Sequence, residues 1–194
     1  AVRNLLKARR PLAAIEYIAL IIHGAEDSIK EQIDPELCLQ ALILNTTKNI
    51  SSTNNLRYEI GLVFKYLYDN IDYTRTNLWE AEWGCISLFG KHGIGQPRAL
   101  IYRIANNADF FCELIKIYKS DPRDTKYQEL DEAIRYRLFK ILSLTSNDFT
   151  IMPGIDQYGT FREDNFTTWI HKVEEICKTS GHLDIAQSVI GGYL

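Results

Sequence analysis

The sequence predicts an all-α fold, an array of antiparallel helical hairpins built as an α-solenoid or an irregular bundle of about nine or ten helices. Three apolar stripes carry that prediction. Leu56, Ile60, Val63, Phe64 and Leu67 recur at spacings of four, three, one and three. Tyr127, Leu130, Ile134, Leu138 and Ile141 repeat the helical period, as do Phe166, Trp169, Ile170, Val173 and Cys177. Period-two alternation is rare, and no run reads as a β-hairpin.

The elements follow from their stops and starts. Residues 2–9 read as a short helix, and Pro11, tolerated in a first helical turn, opens a second to His23 with Gly24 as its stop. The run from Leu12 to Ile22 is interrupted by Glu16 and is about half the ~20 residues that a membrane span needs, so it reads as a buried core helix. Asp34 caps a helix opened by Pro35, with Glu36 complementing its dipole, to about Leu44. The polar stretch 45–55 reads as an exposed loop; its sequon-like Asn49-Ile50-Ser51 is accidental in a cytoplasmic chain.

A helix at 56–69 comes next. Asp72 or Thr76 caps another that carries Leu78, Trp79, Ala81, Trp83, Cys85, Ile86 and Phe89. Gly90, Gly93 and Gly95 bracket Lys91-His92 in a turn, and Pro97 opens a helix ending near Asn106-Asn107. Phe110, Phe111, Leu114, Ile115 and Tyr118 form an aromatic stripe. The longest helix is expected at 125–143, followed by an irregular loop at 145–163. Asp164 caps a helix to about Lys178 that Gly181 stops, and a last helix starts near His182. Residues 1–194 read as a single all-helical domain or segment, excised from a longer chain because position 1 is not Met.

Composition narrows the function classes. With 24% charged and 46% hydrophobic residues the chain is globular, and its net charge of −3 disfavours a nucleic-acid partner. Cys38, Cys85, Cys112 and Cys177 stand far apart among apolar neighbours without a C-x-x-C pair. They read as buried, reduced thiols in a cytoplasmic protein. No signal peptide or membrane span is expected.

Motifs for chemistry are absent. Gly90 to Gly95 follows a helix rather than a strand and lacks the Gly-Lys-Ser/Thr ending of a phosphate loop. Asp156 to Gly159 resembles half of a calcium loop without its bidentate glutamate. His23 and His92 stand alone, and His171 and His182 are too far apart for one helical turn. Glu80 and Glu82, two apart, point to different faces and form no acid–base dyad. Arg3, Lys7 and Arg10 share a solvated face, and Trp79 and Trp83 read as one packed seam. No catalytic, cofactor-binding or metal-binding residue is assigned, and no cofactor is expected.

Three stretches carry a resemblance. Leu78 to Leu88, Pro97 to Tyr118, and Pro153 to Leu194 with its central Trp169 resemble the C-terminal helical region of large bacterial multidomain proteins, some similar to antiphage defence proteins. The resemblance implies a scaffold or sensor region downstream of an NTPase or other effector module, with no catalytic residues to carry over. The expected function is therefore a non-catalytic interaction segment that binds a protein partner or other domains of its parent chain. The alternative is an enzyme or small-ligand domain with a site assembled from distant residues. The last helix, with Leu183, Ala186, Ile190 and Tyr193 on one stripe widened by Ile185, Val189 and Leu194, is expected to keep an exposed apolar strip. That strip would support a homodimer.

Overall fold

A computed structural model describes residues 1–46, 56–90, 94–118, 137, 140, 141 and 163–190. The expected loops over 47–55 and 145–162, most of the helix at 125–143, Lys91-His92, the calcium-like Asp156 to Gly159, and Tyr193-Leu194 lie outside the described residues. Among the described residues all regular structure is helical and no strand occurs. The chain divides into two compact units, Ala1–Pro97 and Arg98–Leu194.

The first unit is built from α1 (Val2–Lys7), α2 (Pro11–Gly24), α3 (Asp27–Lys30), α4 (Pro35–Thr46), α5 (Arg57–Asn70), α6 (Leu78–Gly84) and a 3-10 turn (Ile86–Leu88). Helix α2 packs on α4 and α5, α1 lies against α2 and α4, and α6 closes on α4. The stripe on α5 is buried as its spacing requires: Ile60, Val63, Phe64 and Leu67 are fully enclosed, with Leu56 just ahead of them. Phe64 meets Phe89 edge to face at 5.1 Å.

Local chemistry sets most boundaries. Asp34 Oδ1 accepts from Glu36 N at 3.0 Å, capping α4 at its N1 proline. Asp72 Oδ1 accepts from both the backbone N–H and the hydroxyl of Thr74, and Thr76 Oγ1 from Leu78 N. Asp72 therefore closes the turn, and Thr76 assists the start of α6. The helix expected through Phe89 breaks at Cys85 into the 3-10 turn.

Two sequence expectations need correction here. Gly24 does not stop α2 from outside: it is the last helical residue, and the chain leaves through extended Ala25. Nor is α2 a fully buried helix. Ala14, Ile15, Ile18 and Ala19 face the core, but Leu20 is 71% exposed and Tyr17 41%. A helix apolar all round buries only the face its neighbours cover.

The second unit contains α7 (Arg98–Asn106), α8 (Ala108–Tyr118), α9 (Glu163–Ser180) and α10 (Leu183–Ile190). Helix α8 packs against α7, α9 and α10. Phe111, Leu114 and Ile115 are buried as expected, while Phe110 is half-buried beneath the Arg103 guanidinium, 4.5 Å from its ring centre. Trp169 lies 5.3 Å from Phe111 and donates its Nε1–H to Ile104 O at 3.2 Å. Asp164 sits inside the first turn of α9 rather than ahead of it.

Helix α9 ends as the sequence indicates. Gly181 adopts φ +70, with His182 N donating to Cys177 O and Gly181 N to Lys178 O, a Schellman closure. The exposed apolar strip expected on the last helix does not occur over Leu183–Ile190. Ala186, Val189 and Ile190 are buried and Leu183 and Ile185 half-buried, whereas the fully exposed positions are Asp184, Gln187 and Ser188. Helix α10 rests on both α8 and α9, so two neighbours take up its apolar side.

Candidate functional site

Among the described residues, the two most exposed large apolar side chains lie on α2 and α5. The core-facing stripes of these helices leave Leu20 and His23 from α2, and Tyr58 and Leu62 from α5, around an open cleft of about 320 Å³. Leu20 is 71% and Tyr58 59% exposed. The His23 ring meets Tyr58 edge-on at 6.3 Å, and Glu16 and Glu59 flank the same cleft. An apolar floor between two carboxylates suits an apolar side chain carried next to a cation.

A buried polar contact lies in the same unit. Glu82 is fully enclosed, and its Oε1 accepts the Tyr68 hydroxyl at 2.6 Å; Tyr68 also reaches Gln96 O at 3.5 Å. Tyr68 stacks on Phe64 with ring centres 6.1 Å apart. Glu80 is only half-buried, so the two glutamates do occupy different environments. Sequence reasoning passed over Glu82 because its partner belongs to another helix.

The second unit carries a polar cleft of about 450 Å³ where the α7–α8 turn meets α9, lined by Asn106, Asn107, Asp109, Asn165, Thr168 and Lys172 among others. Asn107 Oδ1 caps α8 by accepting from Phe110 N at 3.0 Å. Lys172 forms an ion pair with Asp109 across the helices.

All four cysteines are free and buried. Spacing alone concealed one relationship: Cys112 on α8 and Cys177 on α9 bring their sulfur atoms to 3.8 Å. Burial pushes Cys38 up to about 12, aided by Asp34, and pushes Cys112 up to about 12, aided by Cys177.

The other singled-out residues stay apart. His171 is exposed, and His182 is half-buried at the end of α9. Arg3 pairs with Asp34 at 3.6 Å, while Lys7 and Arg10 are exposed. Trp79 and Trp83 are half-buried on α6. Among the described residues no group of three or more His, Cys, Asp or Glu converges as a metal site, and no helix is long and apolar enough to cross a membrane. No family model, curated protein or solved structure matches the chain.

Proposed function

We propose that the chain is a non-catalytic interaction segment of a larger cytoplasmic protein, and that it docks a cationic amphipathic helix of a partner or of its parent chain on the α2–α5 face. The observation that supports this reading is Leu20, 71% exposed beside Tyr58 and flanked by Glu16 and Glu59. An anchor side chain buried there gains on the order of 1.5–3 kcal/mol, and the carboxylates select a basic neighbour. Over Leu183–Ile190 the exposed positions of α10 are the polar Asp184, Gln187 and Ser188, which supports the α2–α5 face over that part of α10 as the docking surface.

Titration of isotope-labelled protein with a lysine–leucine helical peptide tests the reading. Amide shifts should centre on Leu20, His23, Tyr58 and Leu62, and Leu20→Asp should weaken binding about tenfold or more. The pair Glu16→Gln and Glu59→Gln should flatten its salt dependence. Shifts scattered over the chain, or binding indifferent to Leu20→Asp, would remove the reading.

A second reading is a small polar ligand held in the cleft of the second unit. It is supported by donors and acceptors from Asn106, Asn165, Thr168 and Lys172, brought together from distant sequence. Shifts at these residues on addition of neutral polyols or carboxylates, lost in Asn165→Leu, would favour it over the docking face.

A further inference from the structure

The α8–α9 seam holds a second kind of chemistry, independent of the docking face. We propose that Cys112 and Cys177 are a dithiol modification site that reacts with low-molecular-weight disulfides to form an internal bond stapling α8 to α9. The two sulfur atoms are already 3.8 Å apart, the two residues are each 1% exposed, and 65 positions separate them in sequence. Helix packing alone has brought them together. Disulfide formation then asks for a closing movement of roughly 2 Å by two side chains, against a bond of about 2.05 Å.

The two thiols share one environment. Burial raises both thiols, and the Lys116 ammonium, one helical turn from Cys112, opposes that rise at both. Either sulfur can attack first, and the other then resolves the mixed disulfide. When Cys177 leads, its thiolate attacks one sulfur of the disulfide RSSR, an S–S bond forms to Cys177, and RS⁻ departs and takes up the proton that Cys177 released. Cys112 loses its proton and attacks Cys177 Sγ; the second RS⁻ leaves and is protonated. Two protein thiols are oxidised and one RSSR is reduced to two RSH, with no other reactant.

Enclosure sets the rate. Entry of RSSR requires local opening of the seam, so reaction is slower than at a free thiol and quickens in urea below the unfolding transition. Once formed, the bond closes a loop of some 65 residues and constrains the unfolded chain. It also fixes Trp169, Val173 and Cys177 of α9 against α8.

The test treats the folded 194-residue chain with oxidised glutathione. The expected product has lost two hydrogens, carries no glutathione, yields a Cys112–Cys177 cross-linked peptide, and unfolds at least roughly 5 °C higher than the reduced form. Cys112→Ser should stop at the glutathione adduct on Cys177. Should that variant fail to fold, the Cys38→Ser, Cys85→Ser double variant keeps both reacting thiols and must still cross-link. A lasting adduct in the unaltered chain, a cross-link involving Cys38 or Cys85 in equal yield, no reaction, or a lower unfolding temperature after oxidation would each overturn the proposal.

Discussion

Glu82 lies fully enclosed on α6 and accepts the Tyr68 hydroxyl, while Glu80 two positions earlier is half-buried. Its donor, Tyr68, is 14 positions away on α5, and the 2.6 Å bond exists only because α5 and α6 share a unit. Tyr68→Phe removes that donor while keeping the ring on Phe64, and should cost about 1–3 kcal/mol in urea unfolding. Equal stability of Tyr68→Phe and the unaltered protein would show that this contact contributes nothing. Cys112 and Cys177 repeat the lesson: each read correctly as a buried thiol, but a 65-residue separation hid the pair.

Helices were the most legible level, because core-facing stripes and caps are written within one turn of each other. The stripe on α5, the Asp34-Pro35 start and the Gly181 stop all stand as read. The four-residue α3 has no sequence signature: so short a turn has no stripe, and its Asp27–Lys30 pair at 3.2 Å is a weak local signal. A helix end is least legible where no glycine marks it. Helix α1 closes on Arg9, a non-glycine at φ 55, with Arg10 N donating to Leu5 O and Arg9 N to Leu6 O. Three substitutions should therefore separate in sign. Gly181→Ala, with open space but φ +70, should lose about 1 kcal/mol. Arg9→Gly should gain on the order of 0.5 kcal/mol by relieving left-handed strain. Gly24→Ala, helical and facing open space, should gain about 0.5–1 kcal/mol. Chemical denaturation of the three variants checks the order, and a stabilising Gly181→Ala would contradict the Schellman end.

At the scale of the whole chain, both units enclose thiols that folding holds in the neutral form, and this couples stability to alkaline pH. Cys38 in the first unit and Cys112 in the second are each pushed up to about 12, chiefly by burial, from an ordinary value near 9.0. Cys177 moves the same way. Because the folded state binds the thiol proton more tightly than the unfolded state, the stability from each group is fully present below pH 9. It drains away as pH rises from about 9 toward 12, by up to ~1.4 kcal/mol per pH unit per thiol. Acid should have no such effect through these groups. The chain's three tryptophans allow the units to be followed separately, since Trp79 and Trp83 lie in the first and Trp169 in the second. Urea midpoints read from Trp169 emission, in a chain carrying Trp79→Phe and Trp83→Phe, should fall between pH 9 and 11. A single Trp169→Phe chain should report the same trend for the first unit. Cys38→Ala should lower stability at pH 7 through the cavity it leaves, yet flatten the alkaline slope of the first unit only. An unchanged slope in that variant would assign the alkaline loss to other groups, Tyr66 foremost, whose hydroxyl is also raised by burial and by Cys38 and Asp34.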